Sequence, residues 1–172
     1  MSLKEKTVLI IRHAKSSWTM ATLSDFDRPL NDRGCHDAPM MAQRLSKRKI
    51  HIDQFISSPA KRAITTAGFF AEAYGIALSE IVQIPSLYHA PTKVFYSVIE
   101  EVNDEHNTIA IFSHNPGITD FVNTLSPWVR IDNMPTCGVF AIKANITHWK
   151  DFETADKKFL FFDFPKNQKT NG

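Results

Sequence analysis

Two apolar runs in this chain stop on a histidine. Thr7-Val8-Leu9-Ile10-Ile11 leads into Arg12-His13, and Thr108-Ile109-Ala110-Ile111-Phe112 leads through Ser113 into His114-Asn115. A third, shorter run at Phe55-Ile56 passes through Ser57-Ser58-Pro59 to Lys61-Arg62. A guanidinium is a permanent cation whose planar fork fits phosphate, and an imidazole is neutral and nucleophilic near pH 7. Gathered in one place, Arg12, His13, Arg62 and His114 would hold a dianion. Such a set can perform phosphoryl transfer to nitrogen: one histidine attacks phosphorus while the arginines and the second histidine offset charge on the equatorial oxygens. Cationic side chains can do a metal's work in this reaction, so no metal or other cofactor is expected.

Whether these residues meet depends on the elements that carry them. Apolar runs of five without polar alternation predict strands buried on both faces of a parallel sheet, and ligands of such sheets bind beyond the carboxyl ends of the strands. Ala14 to Arg28 has no helical period and is expected to loop over that end. Asn31 is placed to N-cap a helix whose core stripe is Ala38, Met41, Ala42 and Leu45, with Pro39 expected to kink it or restart it at Asp37. Ser58 as N-cap and Pro59 at the first helical position predict a second helix, which runs to Tyr74 and stops at Gly75. Lys61 and Arg62 then occupy its first turn, where the macrodipole disfavours cations by roughly 0.3 to 1 kcal/mol each. A local rule broken at a strand end points to an anion-binding duty. A short strand at Ile81 to Ile84, a helix from Ala90-Pro91 carrying Val94, Phe95, Val98, Ile99 and Val102, and a helical run from Ile118 to Leu125 follow. Gly138 to Lys143 and Lys158 to Phe164 are expected to pair antiparallel.

The bulk numbers narrow the function to a site. At 172 residues and 43% hydrophobic the chain can bury the core of one domain, spanning 1–172, with a flexible leader at 1–6 and a flexible tail at 166–172. The net charge of +2 is the difference between 20 basic and 18 acidic residues, which gives no general attraction to nucleic acid or membrane. Cys35 and Cys137 lie far apart and there is no apolar leader or 18-residue apolar run, as expected of a reduced, cytoplasmic protein with free thiols. The seven histidines show no metal-ligand spacing.

Taken as an ordered set, Arg12-His13-Ala14-Lys15-Ser16-Ser17-Trp18, Asp27-Arg28-Pro29-Leu30-Asn31, Ser57-Ser58-Pro59 with Arg62 and Thr66-Ala67, Leu87-Tyr88-His89-Ala90, and Ser113-His114-Asn115-Pro116-Gly117 resemble the histidine phosphatase superfamily. Within it, they resemble the small SixA-type phosphohistidine phosphatases. The resemblance implies a phosphoglycerate-mutase-like fold, a three-layer α/β/α sandwich with a mostly parallel mixed sheet. It implies His13 as the transiently phosphorylated nucleophile, with Arg12, Arg62 and His114 on the phosphoryl group and Arg28 as a further pocket arginine. Lys15, Ser16, Asn115 and His89 are carried along as phosphate- or substrate-binding positions.

One departure is informative. Relatives that cleave phosphate esters supply a carboxylate acid either in the segment that here reads Leu87-Tyr88-His89-Ala90 or directly after the second histidine, where this chain has Asn115. An alkoxide leaving group needs a proton, whereas imidazole, with a conjugate-acid pKa of about 6.5, leaves with little help. Phosphohistidine on a protein is therefore the expected substrate. Asp25, Asp27 and His89 stay open as acids, and a phosphatase for a small metabolite or a non-catalytic phosphate-binding module are the alternatives. Trp18 is expected to anchor the loop or wall the pocket.

Overall fold

The structure is a computed structural model that describes residues 2–167. Six strands form one sheet: β1 (Lys4–Arg12), β2 (Gln54–Ser57), β3 (Val82–Gln83), β4 (Thr108–Ser113), β5 (Val139–Ile146) and β6 (Lys157–Asp163), in the order β3-β2-β4-β1-β5-β6. The first four run parallel; β5 is antiparallel to β1 and β6 to β5. Helices α1 (Asp32–Ser46) and α2 (Lys61–Ala73) cover one face, and α3 (Thr92–Glu100) and α4 (Gly117–Val122) the other. This is the expected α/β/α sandwich. The side-chain alternation of a strand sets the layers: Val8 and Ile10 join the core with Phe95, Ile99 and Phe121, while Leu9 and Ile11 pack with Met41, Leu45 and Phe70. Both faces being apolar is why β1 and β4 read as unbroken hydrophobic runs.

Register brings the chemistry together. Arg12 lies opposite Ser113 across β1 and β4, and Ser57 opposite Phe112 across β2 and β4, so three strands end at one edge. The start of β5 returns there, with Cys137 N–H donating to the Arg12 and His13 carbonyls.

Four expectations change. Lys4 to Lys6 belong to β1 and pair with Ile146, Asn145 and Ala144, so this part of the leader is sheet. Lys6 is fully buried, donating to the Asp104 and His106 carbonyls, 2.8 Å each, with its ammonium 4.9 Å from the Trp149 ring centroid. Helix α1 runs unbroken through Pro39 rather than restarting at Asp37; Asn31 caps it by accepting from Gly34 N–H at 2.9 Å. The Ser58 cap is wrong: α2 begins at Lys61, after Ala60, because the Ser58 hydroxyl is engaged by Ala60 N–H and by His114. Arg62 remains in the first turn. Of the tail, Lys166 lies in a turn with Pro165, Asn167 is tied back to Asp163 and to Arg44 of α1, and 168–172 lie outside the described residues.

Two glycines let backbone meet backbone beside this edge. A Cβ on Gly34 would lie 2.1 Å from the Lys15 carbonyl oxygen, and one on Gly117 would lie 1.9 Å from that of Ala90.

Candidate active site

The Arg12-His13 strand end is held by α2. Thr66 donates to the Arg62 carbonyl at 2.7 Å and accepts from Ala14 N–H at 3.0 Å, which locks the residue after His13 to the helix that carries Arg62. His13 is buried, and its Nδ1 lies 2.7 Å from the Ala14 carbonyl oxygen. A carbonyl only accepts, so Nδ1 carries the proton and Nε2 presents its lone pair. Arg62 Nε approaches that nitrogen at 3.3 Å. The His13 and His114 ring centroids are 5.1 Å apart. His114 Nε2 shares a proton with Ser58 Oγ at 2.7 Å, while its buried Nδ1 has no hydrogen-bond partner.

Three arginines surround the imidazoles. Arg12 donates to the Met134 carbonyl at 2.7 Å and keeps a buried Nε without a partner. Arg62 and Arg28 both grip Asp25. Arg62 reaches its carbonyl at 2.6 Å and its Oδ2 at 3.1 Å, and Arg28 donates to Oδ1 from Nε and a terminal nitrogen at 3.1 and 3.0 Å. Tyr88 adds a third donor to the carboxylate at 2.6 Å. Arg28 also donates to Ser16 Oγ at 2.7 Å, and its guanidinium lies 3.6 Å from the ring centroid of Trp18, which is 74% exposed and stands as a pocket wall.

These groups line a cleft of about 340 Å³ formed by Arg12, His13, Lys15, Ser16, Trp18, Asp25, Arg28, Arg62, His89, His114, Asn115 and Thr136. All nine residues expected from the sequence line it. Asn115, however, is an internal strut: its amide donates to Asn133 and to the Met134 carbonyl and accepts from Thr119. Lys15 is exposed with no side-chain partner among the described residues. His89 sits at φ 58° and Cys137 at φ 59°. This left-handed region costs a non-glycine residue roughly 1 to 3 kcal/mol. Asp27 does not line the cleft; it accepts from Ser24 and closes the short turn at Asp25–Asp27.

The electrostatics follow from burial beside cations. Burial pushes His13 down to about 3, its bond to Ala14 opposing and the nearby Arg62, Arg12 and Arg28 reinforcing the shift. Burial, with His13 and Arg62 beside it, pushes His114 down to about 2. Burial acts to raise Asp25, but the hydrogen bonds from Tyr88 and Arg28 and the charge of Arg62 win and hold its carboxyl well below the usual range. Both imidazoles are therefore neutral at pH 7 and Asp25 is ionised.

Sequence reasoning missed Thr136 and the engagement of Ser58 with His114. Nothing in local sequence signals either contact, whereas Tyr88 lay within a motif already singled out. A larger apolar groove of about 460 Å³ beside α2, lined by Ile64, Phe69 and Leu78 among others, shares no residue with this cleft. Among the described residues no group of three or more His, Cys, Asp or Glu side chains is placed to hold a metal ion.

Fold and site together define an α/β sandwich with a histidine and arginine pocket at the carboxyl edge of its parallel strands. Residues 8–87 match the family model for branch 1 of the histidine phosphatase superfamily. Among solved structures it is similar to a protein of Agrobacterium tumefaciens assigned as the phosphohistidine phosphatase SixA. The two are 24% identical with a TM-score of 0.77, over 93% of this chain and 98% of that one. It is also similar to the protein histidine phosphatase SixA complexed with tungstate, at 22% identity and a TM-score of 0.78, over 92% and 97% of the two chains. These likenesses establish the fold. Phosphoserine phosphatase 1 of Hydrogenobacter thermophilus is 31% identical over 101 residues, 58% of this chain and 46% of the relative.

Proposed function

We propose that the protein is a phosphatase that works through a phosphorylated His13 and takes its phosphoryl group from phosphohistidine on a protein. The observation that carries this reading is the state of Asp25. It is the one carboxylate lining the cleft among the described residues, and Arg28, Arg62 and Tyr88 hold it ionised. A site without a poised carboxylic acid suits a leaving group that departs readily, and imidazole is one.

In the first step the Nε2 lone pair of His13 attacks phosphorus. The substrate P–N bond breaks, and its electron pair returns to the substrate imidazole, which takes up a proton from solvent water. Arg12, Arg62 and Arg28 bring three positive charges that offset the charge on the equatorial oxygens. A dianion between the two rings favours protonated His114, which adds a further positive charge. In the second step water attacks phospho-His13, the P–Nε2 bond breaks, and inorganic phosphate leaves with His13 restored.

The likeness to a phosphoserine phosphatase favours a second reading, a small phosphorylated metabolite as substrate. Turnover of a phosphohistidine-bearing protein compared with phosphoserine and sugar phosphates separates the two. The expected result is a strong preference for the P–N substrate, together with ³²P trapped on the wild-type chain and not on His13→Ala. Preference for an alkyl phosphate would overturn the substrate assignment, and label retained by the variant would overturn the nucleophile.

A further inference from the structure

A second cleft opens beside the phosphate pocket. Of about 420 Å³, it shares Arg12, Lys15 and Thr136 with that pocket and is completed by Arg33, Asn133, Pro135, Phe164, Pro165 and Lys166. Its walls come from separate parts of the chain: the end of β1, the first turn of α1, the segment before β5 and the turn after β6. Four cations line it and no carboxylate does.

The cations are available. Lys15 and Lys166 are exposed, and their ammonium groups make no hydrogen bond or ion pair among the described residues. Arg33 touches Asp37 through Nε alone, at 3.3 Å, which leaves both terminal nitrogens of its guanidinium without a partner among the described residues. Arg33 also stands in the first turn of α1, where a cation is disfavoured by the macrodipole. Arg62 stands in the first turn of α2 in the same way and is turned into the phosphate pocket. The mutual repulsion of four cations around one hollow is relieved when an anion occupies it.

We infer that the cleft formed by Lys15, Arg33 and Lys166 is a second anion subsite, which receives carboxylate side chains of the protein that bears the phosphohistidine. This assignment rests on the proposed protein phosphohistidine substrate and adds to it a sequence requirement: acidic residues beside the phosphorylated histidine. The cleft is larger than the phosphate pocket, about 420 against about 340 Å³, and adjoins it along Arg12 and Lys15. A ligand filling both hollows is an extended chain segment or a protein face rather than a compact metabolite. Asn133 and Thr136 offer polar groups, and Pro135, Phe164 and Pro165 offer apolar contact for its backbone and stems.

The test uses the whole chain and stable peptides that carry a phosphoryl-triazole analogue of phosphohistidine flanked by glutamates or by glutamines. Binding is measured for the wild type and for Arg33→Glu/Lys166→Glu, neither of which lines the phosphate pocket. The wild type is expected to bind the glutamate peptide roughly tenfold or more tightly than the glutamine peptide, as two exposed charge pairs allow. In the variant that ratio falls to one or below, while hydrolysis of phosphoimidazole, which has no second anion, is unchanged. Equal affinity of the wild type for both peptides would overturn the subsite. So would an unchanged ratio in the variant. Failure to hydrolyse phosphoimidazole or a phosphohistidine protein would instead overturn the proposed reaction, a result read independently of the peptide ratio.

Discussion

Lys6 and Arg12 stand six residues apart on β1, each drawn into the protein at opposite ends of the same strand. At the amino end the ammonium of Lys6 meets two carbonyls and the face of Trp149. At the carboxyl end Arg12 keeps a buried Nε without a partner, next to an unpartnered His114 nitrogen and two further arginines that converge on one aspartate. One cation is surrounded by enough acceptors; the other stands among an excess of donors. Buried donors lacking protein acceptors are costly to leave unpaired, so their accumulation at one end marks where a ligand is expected to bind.

Disabling the carboxyl end should silence the reaction with little effect on folding. His13→Ala removes the attacking nitrogen and is expected to lower turnover on the order of 10⁴-fold or more, read by steady-state rate on a phosphohistidine substrate. Arg62→Ala is expected to cost roughly 10² to 10³ in kcat. A loss confined to KM would mean that Arg62 binds without stabilising the transition state.

Acid should destabilise the same end. In the unfolded chain His13 and His114 titrate near 6.5, whereas the folded chain holds them at about 3 and about 2. As pH falls below about 6.5 the unfolded state binds protons that the folded state refuses. Stability is thus full above that value and declines as pH drops toward about 3. Urea denaturation should show a loss of a few kcal/mol between pH 7 and pH 4, reduced in His13→Asn. An equal loss in that variant would assign the effect elsewhere. Asp25, held below its ordinary value in the folded chain, contributes its stability above about 4 and loses it only as pH falls below that value.

The amino end should respond the other way round. Lys6→Met leaves two carbonyls without a donor and is expected to cost about 1 to 3 kcal/mol of stability, measured by denaturation, while kcat per folded molecule stays unchanged. A fall in kcat would show that the two ends of β1 are coupled.

The contrast also explains what could be read from the chain. Arg12, His13, Arg62 and His114 were legible because each stands where a strand stops, and a buried strand is written in consecutive residues. The α/β class was legible from the same runs. Lys6 was not: in sequence it is one charge in a polar leader, its acceptors at Asp104 and His106 lie far along the chain and Trp149 lies farther still. Ser58 was misread because a serine before a proline satisfies the local rule for a helix cap, whereas its hydroxyl answers to the histidine just past β4 and to Ala60 instead. Asp25 was legible as a candidate acid from its place in the loop, but its ionised state depends on two arginines and a tyrosine that only tertiary structure brings to it.

Gly34 and Gly117 bring no functional group to the cleft, yet they gauge it. Each is a point where two walls touch main chain to main chain, so the separation of the reactive groups is set by the absence of a methyl. Adding one would force the strand end at Lys15, or the turn at Ala90, outward by roughly an ångström, a displacement that can slow a positioned reaction about 10²-fold. The tolerance of this catalyst to error is thus narrowest at two residues that never meet the substrate, and a search for function by side-chain chemistry would pass over both.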